Sequence, residues 1–463
     1  MVQYISTRGK AEKLNFADAM LSGLARDGGL YVPETFPQLS YDDLKSFQSM
    51  SYEQVAFEVI KPFVGGCIDD VSLKTMIDDV YSNFDADDVA PIKTIKDGLH
   101  VCELFHGPTI AFKDFALQLL GRLFDYILTE RGERVTIVGA TSGDTGSAAI
   151  EACKNKDAID IVILHPNGRT SDVQRYQMTT VDADNVHNIA LRGTFDDCQD
   201  LVKAMFNDIS MRDKLNLSAV NSINWARIMS QIVYYVYSAT RVGVPENKVS
   251  FSVPTGNFGN VLAGYFSMRM GLPVDQFMVA SNANDILTRF FLNKDMSMKE
   301  CVETHSPSMD IQISSNFERL VFECLDRDAD KVSELMDTFR RTGTMPVPDE
   351  MYEKMREKFQ GFALSNEDTI TAIKGWYDRT GEIFDPHSII GVEAGVAMKT
   401  NSPVIVMATA HPAKFPEAIM KAIDIEVGLP PHMTGLFDRT EKYDVLDNNY
   451  DTITQYVMDK RRS

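Results

Sequence analysis

The sequence lacks the signatures of several well-known classes of enzyme and metal site. Its six cysteines include no CxxC pair, so neither a zinc ribbon nor a thioredoxin-type site is indicated. The eight histidines form no HExxH or similar ligand spacing, and we therefore predict no catalytic metal. A GxSxG elbow, a P-loop and a GxGxxG fingerprint are also absent, which counts against an elbow-type serine hydrolase and against P-loop or dinucleotide binding.

Basic charge and long apolar runs are scarce as well. The formal net charge is -20, which argues against nucleic acid or a membrane surface as a partner, because both select basic patches. No apolar run reaches the roughly 20 residues that a membrane span requires, and the first residues lack the apolar core of a signal peptide. The cysteines read as reduced, packed thiols. We therefore expect a cytoplasmic protein, either a monomer or a homodimer.

The composition and the order of segments predict an α/β protein with more than one domain. Hydrophobic residues make up 44% and charged residues 24%, which is typical of a soluble globular protein. The first ninety or so residues read as a separate small unit. We expect domains at residues 1–93 and 94–463, the second made of two subdomains with the site between them. Beyond the boundary, β-branched runs, Gly-rich turns and helical segments alternate, which predicts mainly parallel sheets with flanking helices. Because ligands bind beyond the carboxyl ends of such strands, we expect the turns to converge on one site.

One lysine stands in an unusual segment at residues 106–115, with the sequence HGPTIAFKDF. Lys113 follows the aromatic Phe112 in a stretch rich in turn formers and small residues. A lysine removed from water loses its proton more easily, and its amine can then form a Schiff base with a carbonyl. A solvated surface lysine is the alternative when this segment is taken alone.

The loop at residues 254–260, PTGNFGN, follows a predicted strand and opens a predicted helix. Gly256 and Gly259 allow close approach of the backbone, and the free amides and dipole at a helix start favour an anion. A plain strand-to-helix turn is the alternative. We expect pyridoxal phosphate held on Lys113 from three segments taken together: the one that carries Lys113, this loop, and the loop at residues 141–146 described next.

The loop at residues 141–146, TSGDTG, offers hydroxyls and amides at a second predicted helix start. Such a loop suits a carboxylate or a phosphate. The charge of Asp144 argues against a phosphate beside its side chain, so we favour the carboxylate of an amino acid. A well-capped turn is the alternative.

Further polar residues follow other predicted strands. The hydroxyl of Thr409 could bond a heteroaromatic nitrogen, although a satisfied loop threonine is the alternative. Arg169 and Ser171 lie in one polar cluster, and Arg227 lies in another at a helix start. Arginine suits phosphate recognition, whereas an exposed helix arginine is the competing interpretation of Arg227.

With these segments in hand, the sequence resembles the threonine synthase family, pyridoxal-phosphate enzymes of the tryptophan-synthase-β fold type, or fold type II. The match covers most of the chain, and the N-terminal segment and the Asn-Phe form of the loop at 254–260 resemble the bacterial and fungal branch. The resemblance implies Lys113 as the cofactor lysine and Thr409 as the residue facing the pyridine nitrogen. It also implies cofactor-phosphate contacts from Gly256, Asn257, Phe258 and Asn260, and substrate contacts from Ser142, Thr145, Arg169, Ser171 and Arg227.

The reaction implied by the resemblance converts O-phospho-L-homoserine and water to L-threonine and phosphate. A phospholyase of the same fold is the nearest rival, because it would release 2-oxobutyrate, ammonia and phosphate from the same substrate with nearly the same motifs. A β-replacing or dehydrating enzyme acting on serine or threonine would need no pocket for a second phosphate. A binding protein without catalysis is a third alternative, and failure to hold cofactor would favour it.

Overall fold

The computed structural model describes residues 2–462 and contains three sheets surrounded by helices. The strands in these residues are β1 Tyr4–Ser6, β2 Tyr31–Pro33, β3 Ile92–Lys96, β4 Leu99–Glu103, β5 Val135–Ala140, β6 Ile159–Pro166, β7 Val186–Arg192, β8 Leu217–Ser218, β9 Val249–Pro254, β10 Val274–Ser281, β11 Phe359–Ala363, β12 Val404–Ala408 and β13 Asp444–Asp447.

The helices surround these strands in sequence order. They are α1 Phe16–Ser22, α2 Tyr41–Phe47, α3 Tyr52–Val64, α4 Asp70–Tyr81, α5 Lys113–Arg131, α6 Asp144–Cys153, α7 Asp172–Thr179, α8 Phe195–Asn207, α9 Ile209–Leu215, α10 Trp225–Val242, α11 Gly259–Arg269, α12 Ile286–Asn293, α13 Phe317–Cys324, α14 Ala329–Thr342, α15 Asp349–Arg356, α16 Asn366–Thr380, α17 Ser388–Ala397, α18 Pro416–Ile423 and α19 Tyr450–Lys460. Short 3-10 turns lie at Pro307–Met309, Pro412–Lys414, Pro431–Met433 and Leu436–Asp438. No helix in the described part of the chain is long and apolar enough to cross a membrane.

Two of the sheets are mainly or wholly parallel. The larger has the order β11-β10-β9-β12-β4-β3, and only its edge pair β3·β4 is antiparallel. The smaller has the order β13-β7-β6-β5-β8 and is parallel throughout. Buried strands such as β6 and β9 are covered by helices on both faces, as parallel sheets require. The predicted α/β class with flanking helices is confirmed.

Helix α10 lies at the centre of the largest hydrophobic core. Every residue from Trp225 to Thr240 is buried, as expected of a helix packed on all sides. The core around it continues into the N-terminal helices, where the ring of Tyr4 packs near Trp225 and its hydroxyl donates to the carbonyl of Phe63. The N-terminal segment is therefore packed against the helices that support the two parallel sheets.

Candidate active site

Lys113 is the first residue of α5 and lies beside the end of β12. The amide of Phe112 donates to the carbonyl of Thr409 at 2.8 Å, and Ala111 bridges to Ala410. Lys113 is 9% exposed, and burial lowers the pKa of its amine. The charge of Asp144 opposes this shift, whereas the charges of Lys414 and Arg227 increase it. The positive end of the α5 dipole acts in the same direction as burial. The structure therefore provides the desolvated lysine that the sequence suggested.

Asp144, the first residue of α6, is the carboxylate that contacts Lys113. Its Oδ2 accepts from Lys113 Nζ at 3.1 Å and from Ser308 Oγ at 2.7 Å. Its Oδ1 lies 3.1 Å from Lys414 Nζ and accepts from Gln174 Nε2 at 2.7 Å. Burial alone would raise the pKa of Asp144, but the charges of Lys113, Lys414 and His387 hold that pKa well below its ordinary value. Asp144 is therefore an ionised carboxylate placed between two lysines.

The loop between β9 and α11 presents its amides without partners. Helix α11 begins after Phe258, which has a left-handed φ of 62° and supplies no side-chain cap. Within the described residues, the amides of residues 256–260 donate to no acceptor. The loop carbonyls are occupied, since Ser314 Oγ donates to Gly256 O at 2.7 Å and Asn316 donates to Asn257 O at 3.1 Å. The arrangement leaves the positive side of the loop for an anion.

Asn260 adds an unused donor to this loop. Its Oδ1 accepts from the hydroxyls of Tyr234 and Tyr235, each at 2.8 Å. Its Nδ2 is buried and has no partner among the described residues. A buried donor without a partner is costly, and an anion at this loop would satisfy it.

Ser308 connects this loop to Lys113. Its hydroxyl lies 3.4 Å from Lys113 Nζ. Its carbonyl would lie 2.9 Å from a Cβ added at Gly256. The segment that carries Ser308 therefore packs between the lysine and the loop, and the glycine permits that approach.

Thr409 lies on the other side of Lys113, just past the end of β12. Its amide donates to Ser388 Oγ at 2.8 Å and its carbonyl accepts from Phe112. Its own hydroxyl has no hydrogen bond in the part of the chain that the structure describes. Thr409 is therefore close to Lys113 and has a hydroxyl available to a ligand.

The loop at residues 141–146 forms a compact turn beside Asp144. Thr141 Oγ1 accepts from the amides of Gly143 and Gly146 at 3.0 and 2.9 Å. Ser142 is exposed and Thr145 is half-buried. Both predicted substrate residues thus flank the carboxylate that holds Lys113.

The remaining predicted residues differ in their relation to Lys113. Ser171 caps α7 and donates to Gln174 Oε1 at 2.9 Å, so it reaches the site through Gln174 and Asp144. Arg227 is 4% exposed, which rules out the exposed-helix interpretation. Burial lowers the pKa of Arg227 to about 10, its Nη1 donates to the carbonyl of Val220 at 3.0 Å, and its Nε has no partner among the described residues. Arg169 is exposed and its side chain pairs with no carboxylate in the described residues.

The expected convergence of all the strand-end turns is only partly met. The turns after β5, β9 and β12 meet around Lys113. The turn after β7 instead packs Gly193 against Asp197 of α8. Among the described residues, no hydrogen bond joins this turn to Lys113, and β7 is the second strand from one edge of the smaller sheet.

Sequence reasoning did not identify Lys414 or Ser308 as residues of this site. It singled out Asp144 but not its contact with Lys113. In the sequence, the charge of Asp144 argues only against a phosphate beside its side chain. Lys414 lies in the same short segment as Thr409, so its position after β12 was an available signal. Ser308 follows no strand and carries no motif.

Comparison with known proteins places this arrangement in an enzyme class. Residues 93–341, more than half of the chain, match the family described as "Pyridoxal-phosphate dependent enzyme". Residues 3–81 match "Threonine synthase N terminus", and residues 388–457 match "Threonine synthase, C-terminal". The chain is therefore a pyridoxal-phosphate-dependent enzyme.

Individual relatives narrow the class to one family. The chain is 50% identical over 459 residues to the threonine synthase of Pseudomonas aeruginosa, covering 98% of each chain. The crystal structure of threonine synthase from Brucella melitensis with pyridoxal phosphate bound is 47% identical, covers 100% of each chain and superposes with a TM-score of 0.98. That from Escherichia coli is 27% identical, covers 99% of this chain and all of its own, and gives a TM-score of 0.83. The chain belongs to the threonine synthase family.

The residues present fit pyridoxal phosphate. Lys113 offers a buried amine of lowered pKa, which suits a carbonyl. The unpartnered amides of residues 256–260 and the orphaned Nδ2 of Asn260 suit its phosphate. The free hydroxyl of Thr409 suits its ring nitrogen.

Proposed function

We propose that the chain converts O-phospho-L-homoserine and water to L-threonine and phosphate. The observation that carries the proposal is the charge of the buried site. Three buried cations, Lys113, Lys414 and Arg227, lie near two buried carboxylates: Asp144, which is ionised, and Asp114, whose pKa burial raises to about 6. Buried charges are paired in stable proteins, so the excess of positive charge calls for anionic ligands. The phosphates of a cofactor and of a phosphorylated substrate would supply them.

The chain's residues divide the work around Lys113. Bound pyridoxal phosphate supplies the electron withdrawal that makes protons next to the substrate amine acidic. Lys113, whose pKa burial lowers, would accept the proton from Cα of the substrate and return protons to other carbons. Arg227 and the free amides of the loops would stabilise the departing phosphate. Burial of Lys113 excludes water from the early steps.

The site assignments form part of the proposal. We assign Lys113 to the cofactor aldehyde, Gly256, Asn257, Phe258 and Asn260 to its phosphate, and Thr409 to its ring nitrogen. We assign Ser142 and Thr145 to the substrate carboxylate and Arg227 to the substrate phosphate. The support is their placement around Lys113 and the donors without partners. Ser171 acts through Gln174, and the exposed Arg169 has no such support.

Three further expectations remain proposals. We propose a cytoplasmic location, which the six free cysteines of the described residues support. The division at residues 93 and 94 and a monomeric or homodimeric state stay predictions.

An end-product assay tests the function. Purified protein with pyridoxal phosphate and O-phospho-L-homoserine should yield threonine and phosphate in equal amounts. Lys113→Ala should lower the rate at least about 1,000-fold, because the base and its covalent link are both lost. The surface variant Lys374→Met is the control and should keep the full rate, since Lys374 pairs only with Asp378 on one exposed helix face. Release of 2-oxobutyrate and ammonia in place of threonine would identify the phospholyase, and full activity of Lys113→Ala would refute its role.

A further inference from the structure

Asp144 holds four donors and cannot turn away from Lys113. Ser308 Oγ and Gln174 Nε2 each donate to one of its oxygens at 2.7 Å. These two neutral donors fix the plane of the carboxylate. Its Oδ2 is thereby directed at Lys113 Nζ, 3.1 Å away.

Lys414 is the second cation on the same carboxylate. Its side chain is 0% exposed, and its Nζ lies 3.1 Å from Asp144 Oδ1. The same Nζ donates to the backbone carbonyl of Thr109 at 2.8 Å. Thr109 in turn binds Asp114, the residue after Lys113, through its amide and its hydroxyl. Lys414 thus joins the carboxylate to the segment that carries Lys113.

The charged groups nearest Lys113 come from three elements, and His387, whose charge lowers the pKa of Asp144, lies directly before α17. Asp144 comes from α6, Lys414 from the 3-10 turn after β12, and Arg227 from α10. Among neutral groups, Ser308 Oγ lies 3.4 Å from Nζ and the ring of Phe112 lies 5.2 Å from it. Asp144 favours the protonated amine, whereas the two cations disfavour it.

We propose that Asp144 and Lys414 are positioning residues that together set how readily Lys113 gains and releases a proton. Asp144 holds Nζ in place and stabilises its protonated form, and Lys414 limits that stabilisation by sharing the carboxylate. The inference rests on the proposed function, in which Lys113 carries the cofactor and moves protons. Nothing in this role requires Asp144 or Lys414 to touch the substrate.

A pH titration of the holoenzyme's absorbance tests the inference, because the spectrum of lysine-bound pyridoxal phosphate depends on protonation at Lys113. Asp144→Asn should move the midpoint down by about 1 to 3 pH units, since it removes the one opposite charge. Lys414→Gln should move it up by about one unit, because the amide can still donate to Thr109 without carrying charge. Lys414→Arg should leave it near the wild-type midpoint. Lys374→Met is the surface control.

Opposite shifts support the inference, since a purely structural role would move both midpoints in one direction or neither. Unmoved midpoints, or shifts of the same sign, would overturn it. The acid limb of the pH profile of kcat/KM is the second readout and should shift in the same directions. If Lys414→Gln fails to fold, Lys414→Met tests the same expected upward shift of the midpoint. Absence of cofactor absorbance or of threonine in the wild-type protein would instead refute the proposed function.

Discussion

Gly256→Ala is the substitution whose effect follows most directly from distances in the site. The new Cβ would lie 2.9 Å from the carbonyl oxygen of Ser308 and 3.3 Å from Met309 Cα, both of them backbone atoms. An ordinary contact is about 3.5 Å, so the Ser308 backbone must withdraw by about half an ångström. A rotamer change cannot relieve the overlap.

The withdrawal would disturb the groups that Ser308 holds. Its hydroxyl donates to Asp144 at 2.7 Å, and its amide donates to His387 Nε2 at 3.2 Å. We expect a loss of about 1 to 3 kcal/mol in the free energy of unfolding from overpacking. We expect kcat/KM to fall about 10- to 100-fold, because misplacement of catalytic groups by less than an ångström is costly.

Three measurements on one preparation check this expectation: urea unfolding, steady-state kinetics and cofactor retention after dialysis. Gly428→Ala is the matched control, since an added Cβ there meets nothing within 4 Å. It should change neither stability nor rate. If Gly256→Ala kept the wild-type kcat/KM and cofactor affinity, the argument that Ser308 packs tightly between the loop and Lys113 would be refuted.

Two further predictions concern buried titratable groups outside the proposed site. Glu318 forms a buried pair with Arg8, 3.0 Å between Nη2 and Oε2, with side chains 4% and 7% exposed. Glu318→Gln should cost about 3 kcal/mol of unfolding free energy, because Arg8 loses its buried partner and keeps only the exposed Asp337, 3.6 Å away. Lys13→Met, which breaks an exposed pair, should cost at most about 1 kcal/mol, and equal losses would contradict this reasoning. His165 is buried with both ring nitrogens unpartnered, and burial lowers its pKa from 6.5. The unfolded chain therefore takes up a proton at His165 at a higher pH than the folded protein does. The free energy of unfolding should fall as the pH drops below about 6.5, by up to about 1.4 kcal/mol per pH unit. His165→Leu should flatten that slope in denaturant titrations at several pH values, and an unchanged slope would exclude His165 as the cause.

The sequence was sufficient to predict features that depend on local chemistry. Lys113 behind Phe112 predicts a lysine removed from water, and the glycines of the loop at 256–260 predict a helix start with free amides. The structure has both features. Strand-to-helix alternation was enough for the α/β class. These features are local because the turn, the helix start and the buried strand each have their own residue pattern.

Features that depend on packing between distant segments could not be predicted in this way. Ser308 reaches Lys113 from a 3-10 turn that lies 195 positions further along the chain. The role of Asp144 was hidden because its partners, Lys113 and Lys414, lie on other elements. A buried Arg227 and an exposed Arg169 look alike in sequence, since burial is decided by which helix lies at the centre.

The place of β12 in the larger sheet has a consequence for biosynthesis. This strand lies between β4 and β9, although it is made long after both. Until residues 404–408 leave the ribosome, the facing edges of β4 and β9 have no partner, and unpaired edges invite pairing with other chains. Thr409 and Lys414 emerge only after that strand. Fragments of the nascent chain therefore lack the segment that packs beside Lys113, and we expect stable cofactor binding only after one late strand has inserted into the middle of an already translated sheet.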